Sequence, residues 1–244
     1  MSQVAARAFD LLEQIASSPQ PLRLMELAER TGIDKSTASR LLDFLEGRSL
    51  IRRDTDTKRY VVGPGLLSLS TVALRSTDLA EFAAPHLAAL RDDTGETVAF
   101  HLRVGGQRVC VAGAESRQPI RRVLAVGEQL PLCVGPSGKV MLAFLQESEI
   151  EALIHDKECG DVKKIRAELA DIRERGYISV IGGRTPGLGA ICFPIFDTSG
   201  AAIAAMSVAG PESRWGLAEM AAAEPRVRAV AEQLTAAARS GVRP

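Results

Sequence analysis

Over the first sixty positions, apolar residues recur at the spacing of short helices. Ala5, Ala8, Phe9, Leu12, Ile15 and Ala16 fall on one face of a helix over residues 4–16, and Ser17-Ser18-Pro19-Gln20-Pro21 ends it, because proline cannot continue the backbone ladder. Leu24, Leu27 and Ala28 predict a second helix that stops at Thr31-Gly32-Ile33, where glycine permits a tight corner. Asp34 is a good N-cap for a third helix whose Ala38, Leu41, Leu42 and Leu45 form one buried stripe. Leu50–Arg53 and Arg59–Val62 then read as two strands around the polar turn Asp54-Thr55-Asp56-Thr57. Two helices across a tight corner followed by a hairpin predict a winged helix-turn-helix.

The next stretch closes at Gly63-Pro64-Gly65, and Leu66, Leu67, Leu69, Val72, Ala73 and Leu74 predict a linker helix reaching about Thr77. A longer helix follows, with Leu79, Phe82, Ala83, Leu87 and Leu90 apolar, and it ends at Thr94-Gly95. From Glu96 the texture changes to short β-rich runs. Thr97–Val104 and Arg108–Ala112 flank Gly105-Gly106 as a hairpin, and Arg121–Leu124 reads as a further strand before a loop through Gly127, Pro131 and Gly135-Pro136. Ser137 is expected to cap a helix containing Val140, Met141, Phe144 and Leu145. Helices over 147–155 and 162–175 follow, the second closed by Gly176. Strands are expected over 177–181, 188–196 and 202–209, then an alanine-rich helix over 218–238. Helices bracketing a mostly antiparallel sheet make the chain α+β. Its domains are then residues 1–63, a linker over 64–78, and residues 79–244.

With 46% hydrophobic residues, 244 residues can bury the cores of two domains. Thirty basic and thirty acidic residues balance, so net charge does not announce a nucleic-acid partner and local placement must. Arg48, Arg52, Arg53, Lys58 and Arg59 gather in the hairpin against Asp54 and Asp56; alone, such a run is equally consistent with a solvated surface. No leader-like apolar run and no membrane-spanning window are apparent. Cys110, Cys133, Cys159 and Cys192 lack metal-ligand spacing, so reduced thiols in a cytoplasm are the simplest expectation. His86, His101 and His155 form no ligand cluster by spacing and read as structural or surface residues.

Catalytic motifs fail on inspection. Ser137-Gly138-Lys139 lacks the remaining residues of a phosphate loop, and Gly187-Leu188-Gly189 lacks the third glycine of a dinucleotide fingerprint, which would fall on Cys192. Cys192 itself reads as a small core residue. No nucleophile, metal set or cofactor motif is expected, which leaves a binding protein ahead of an enzyme or a protein-binding scaffold built around an accessory winged helix. The exposed face of the third helix carries Lys35, Ser36, Thr37, Ser39 and Arg40, suited to base edges in the major groove of double-stranded DNA, with Arg40 the candidate guanine contact. Thr37 is equally consistent with helix packing. Arg52, Arg53, Lys58 and Arg59 would meet phosphates.

From about Val4 to Leu234 the chain resembles the IclR-type (isocitrate lyase regulator) transcriptional regulators. The resemblance rests on Thr94-Gly95-Glu96-Thr97-Val98, on Ser137-Gly138-Lys139-Val140-Met141-Leu142-Ala143, and on Arg175-Gly176-Tyr177. The closing series Phe193-Pro194-Ile195-Phe196-Asp197 through Ser207-Val208-Ala209-Gly210-Pro211 adds to it. It implies a C-terminal GAF-like domain that binds a small-molecule effector, homodimers or dimers of dimers, and a pseudo-palindromic operator beside catabolic genes, most simply as a repressor.

It also implies an effector pocket at Ser137 and Gly138, whose N–H groups could meet an anion, whereas Pro136 has none to give. Polar positions of the family's pocket fall on Val180, Gly183, Ala190 and Ala209, leaving Ser207. Arg122, beside Leu130, is the candidate partner for a carboxylate, although Arg121 and Arg122 are also consistent with an exposed strand edge. The expected ligand is an aromatic or hydrophobic carboxylate, larger and less polar than a small keto acid.

Overall fold

Helix α1 (Gln3–Ser17) buries Ala8, Leu11, Leu12 and Ile15 against α2 (Leu24–Thr31) and α3 (Lys35–Gly47), which contribute Leu27, Ala38, Leu41, Leu42 and Leu45. Phe9, expected on the buried face, is exposed because the buried arc is centred on Leu11 and Leu12. Gly32 ends α2 at φ 64°, the left-handed conformation that the corner requires. Strands β1 (Ile51–Arg53) and β2 (Tyr60–Val62) pair antiparallel, Ile51 opposite Val62. A bridge from Leu22 to Tyr60 ties this wing to the segment before α2.

This is a computed structural model describing residues 3–66, 68–69, 78–155 and 158–242. The chain divides into two units between Arg75 and Ser76. Leu66, Ser68 and Leu69 are helical; the rest of the expected linker helix, Leu67 and residues 70–77, lies outside the described residues. No helix among those described is long and apolar enough to cross a membrane.

The second unit is built on α4 (Asp78–Thr94) and one six-stranded antiparallel sheet. Its strands are β3 (Thr97–Val104), β4 (Gln107–Ala114), β5 (Gln129–Pro131), β6 (Ile178–Ile181), β7 (Leu188–Phe196) and β8 (Ala202–Pro211). They lie in the order β5-β4-β3-β8-β7-β6. Alternation divides each strand between two faces. Val98, Phe100 and Leu102, Ile191, Phe193 and Ile195, and Ala204, Met206 and Val208 pack on α4 and on α8 (Leu217–Arg239). Helices α5 (Pro136–Leu142), α6 (Glu147–Ile154) and α7 (Val162–Arg175) cover part of the other face, with Val140, Met141, Ile150, Leu169 and Cys192 in their core. The uncovered remainder of that face is the floor of a cavity.

Three local expectations are corrected. Residues 121–124 are not a strand, because side chains supply their hydrogen bonds: Thr97 Oγ1 donates to the Arg122 carbonyl at 2.6 Å and the Leu124 N–H donates to Glu115 at 3.0 Å. The added strand is β5 instead. Ser137 does not cap α5; Gly135 does, at φ 75°, and Pro136 occupies the first helical position, where a missing N–H costs nothing. Finally, Cys133 and Cys159 form a disulfide, while Cys110 and Cys192 are free and buried. The two bonded cysteines come from a loop before α5 and a loop after α6, so their spacing carried no sign of the pairing.

Candidate functional site

In the first unit the sequence organises α3 from its cap. Asp34 accepts the Thr37 N–H at 2.9 Å and the Ser36 hydroxyl at 2.7 Å, and these bonds hold its carboxyl well below the usual carboxylate range. Lys35, Ser36 and Arg40 are exposed and Thr37 and Ser39 half-buried. The hydroxyl of Thr37 lies 3.5 Å from Arg40 Nη2. In the wing, Asp54 takes the Asp56 and Thr57 N–H groups and the Thr57 hydroxyl, which leaves Arg52, Arg53 and Lys58 exposed. The Arg53 guanidinium stacks 5.5 Å from the centre of the Tyr60 ring. Arg59 is turned inward: Nη1 donates to the Pro21 carbonyl at 2.6 Å and meets Glu26 at 3.3 Å. It stitches the wing to α2 rather than offering a free charge.

In the second unit the uncovered face of the sheet holds a cavity of about 80 Å³. Thr97, Ala99 and His101 from β3, Arg108 and Cys110 from β4, Ala190 and Cys192 from β7, and Ser207 and Ala209 from β8 form its floor. The loop 116–128 closes it through Arg122, Leu124, Ala125 and Glu128. Thr94-Gly95-Glu96-Thr97 anchors that loop. Ser116 donates to the Gly95 carbonyl at 2.5 Å, and Arg214, paired with buried Glu96 at 2.5 Å, donates to the Ile120 carbonyl at 2.6 Å. Arg184, between β6 and β7, closes the other side and bonds both Glu128 oxygens at 2.7 and 3.0 Å.

Charge in this cavity is unbalanced, with three guanidiniums against the single carboxylate of Glu128. Glu128 is held ionised by its bonds to Arg184, and Arg122 approaches it at 3.9 Å. Arg108 is 3% exposed, yet its Nε and Nη1 have no hydrogen-bond partner. His101, 7% exposed, leaves Nδ1 unpartnered. Burial first, and the Arg108 charge second, push the His101 pKa down to about 3, so the ring is neutral at physiological pH. Burial also pushes the Cys192 thiol up to about 12, so it packs as an inert apolar group. Buried donors of this kind are nearly always satisfied. Arg108 and His101 thus place unpartnered buried nitrogens among the cavity-lining residues.

Residues 4–55 match the IclR helix-turn-helix domain and residues 71–236 match the bacterial transcriptional regulator IclR C-terminal domain. The chain belongs to the IclR family. It is therefore a DNA-binding transcriptional regulator, and its curated relatives are regulators rather than enzymes. It is 32% identical over 237 residues to the HTH-type transcriptional regulator BhcR of Paracoccus denitrificans, covering 94% of this chain and 85% of that one. It is 28% identical over 222 residues to the acetate operon repressor of Salmonella typhimurium, covering 87% and 81%. Among solved structures, HmgR of Pseudomonas aeruginosa superposes with a TM-score of 0.74 at 29% identity, over 96% of this chain and 98% of that one. The Thermotoga maritima IclR gives 0.70 at 27% identity, over 96% and 98%.

Of the positions that the IclR resemblance singled out for an effector, Arg122, Ser137, Gly183, Ala190, Ser207 and Ala209 line the cavity. Leu130, Gly138 and Val180 do not. Leu130 is paired with Arg108 in the ladder, and Val180 lines a neighbouring groove with Lys139, Lys164 and Glu168. Gly138 is a packing position, since a Cβ there would stand 2.4 Å from the Leu132 carbonyl oxygen. Sequence reasoning missed His101, Arg108, Glu128 and Arg184. The available signal was Arg108 itself, a charged residue on the same strand face as Cys110. Counting polar losses on β6 to β8 alone made the cavity look apolar, and its cationic wall comes from β4 and the two closing loops.

Proposed function

We propose that this chain is a cytoplasmic repressor of a catabolic operon, working as a homodimer or dimer of dimers, whose operator binding responds to a small carboxylate. Residues 1–63 would bind a pseudo-palindromic site, with Lys35, Ser36, Thr37, Ser39 and Arg40 in the major groove and Arg52, Arg53 and Lys58 on phosphates. Arg59 is assigned to the wing's attachment. The carboxylate reading rests on one observation above others, the buried guanidinium of Arg108, a cavity-lining residue with two nitrogens that have no hydrogen-bond partner. A charge-assisted bond from a carboxylate would satisfy it. Ala99, Leu124, Ala125, Ala190 and Ala209 would hold the carbon skeleton.

The expected aromatic or hydrophobic carboxylate narrows to a short one. A cavity of about 80 Å³ is roughly half of the about 150 Å³ that admits benzene. Effector control requires only that ligand favour one of two states differing in operator affinity. Calorimetric titration with two- to four-carbon carboxylates tests the reading. Saturable binding is expected, weakened about 10- to 100-fold in Arg108→Met by loss of the charged bond. Undiminished binding by that variant contradicts it.

A further inference from the structure

Cys110 and Cys192 are buried and unbonded, and burial raises both thiols, so neither is a ready nucleophile. Cys133 and Cys159 are bonded to each other. A regulator that reads chromosomal DNA works where thiols are kept reduced, and a disulfide there is more often redox-sensing or catalytic than structural; this step rests on the cytoplasmic placement proposed above. Burial divides the pair. Cys133 is 3% exposed in the core with Val140, Met141 and Leu169, whereas Cys159 is half-buried at the edge of that core. An incoming thiol or disulfide therefore meets Cys159 first. The reduced state is also provided for, because the Leu153 carbonyl lies 3.2 Å from Cys159 Sγ and can accept its thiol proton.

The bond reaches the cavity through α5. Cys133 stands two residues before the Gly135 cap, and Pro136 and Ser137 just after it line the cavity. Packing between them is close: the Leu132 carbonyl lies against Gly138, and the Leu132 N–H donates to the Gly106 carbonyl at 3.0 Å. We infer that Cys133 and Cys159 form a reversible thiol–disulfide site through which small thiols and disulfides set operator affinity, by releasing or holding the cavity wall at the start of α5. Oxidation proceeds by exchange with a low-molecular-weight disulfide. The Cys159 thiolate attacks one of its sulfurs and expels a thiolate, which takes up the Cys159 proton. The Cys133 thiolate then attacks Cys159 Sγ and expels the second thiolate, which takes up the Cys133 proton. Two protein thiols lose two electrons and one small disulfide becomes two thiols. A covalent tie that suits one state of the wall better than the other shifts the balance between states of different operator affinity.

The full chain in glutathione buffers, from reduced to oxidised, followed by thiol alkylation and peptide mass analysis, tests the chemistry. The Cys133–Cys159 bond is expected to open and close reversibly across the series while Cys110 and Cys192 stay reduced. A bond that persists in reduced glutathione, or one that never forms, overturns the inference. Hydrogen exchange should show amides over 132–138 better protected in the disulfide form, and equal protection overturns the link to the cavity wall. On a recovered genomic fragment, fluorescence anisotropy should give affinities about fivefold or more apart for the two forms. Cys159→Ser, whose hydroxyl can still donate to Leu153, should bind as the reduced chain does in both buffers. Equal affinities of the two wild-type forms overturn the regulatory role, even if the variant does not fold. Failure of both forms to retain any fragment overturns operator control together with the repressor reading, a result distinct from equal affinities.

Discussion

Arg108 and His101 are buried side chains with unpartnered nitrogens. A buried guanidinium without partners opposes folding, and replacing it with an apolar side chain of similar length is neutral or stabilising in such settings. Arg108→Met should therefore melt at or above the wild-type temperature while losing ligand; a marked fall in Tm would mean that Arg108 is structural. His101 gives a pH test. Its pKa is about 3 in the folded chain against about 6.5 when unfolded. Above pH 6.5 the ring is neutral in both states. As pH falls towards 3, the unfolded chain takes up a proton that the native one refuses, so stability drops by up to about 1.4 kcal/mol per pH unit. Urea midpoints at several pH values should show a shallower acid slope for His101→Phe, and identical slopes would mean that the native ring accepts the proton. These two residues were not legible as a site. Nothing local in the sequence places Arg108 on the same sheet face as His101, which pairs with Cys110, or marks either as unpartnered, since both facts arise from register and burial.

At the scale of elements, local chemistry was more readable. The Asp34 cap, the Gly32 corner and the Gly176 stop act within one turn of chain, and α7 and β7 have the bounds that periodicity gave. The start of α5 was misread because Ser137 resembles a cap, whereas Gly135 at positive φ with Pro136 behind it decides the geometry. Gly138→Ala should destabilise the second unit by about 1–3 kcal/mol, because a methyl there meets the Leu132 backbone and not a flexible side chain. Chemical denaturation measures this, and an unchanged midpoint would show that the loop before α5 gives way. In the wing, Lys58→Ala should lower the slope of log affinity against log salt by about one, as expected for one lost phosphate contact. Arg59→Ala should lower the melting temperature of the first unit more than the salt slope, since its bonds run to Pro21 and Glu26. The reverse ranking would return Arg59 to the DNA.

For the whole molecule, a helix-turn-helix with a wing followed by an α+β domain was legible because helices state their buried faces by the spacing of apolar residues and the strands were read from short β-rich runs. The charge of the cavity was not legible. The Cys133–Cys159 disulfide, the cationic wall and the cavity's size depend on segments far apart in sequence meeting at one end of the sheet. The central claim joins the two units: DNA binding that answers to a carboxylate held by Arg108. It is tested most directly by recovering genomic fragments on the purified protein and measuring operator affinity by fluorescence anisotropy, with and without short carboxylates. Wild type and Arg108→Met should both bind a pseudo-palindromic fragment in a salt-dependent manner. Only the wild type should change its affinity, by about 5- to 150-fold, when acid is added. No fragment above background with or without acids, or an Arg108→Met response equal to that of wild type, would contradict the account.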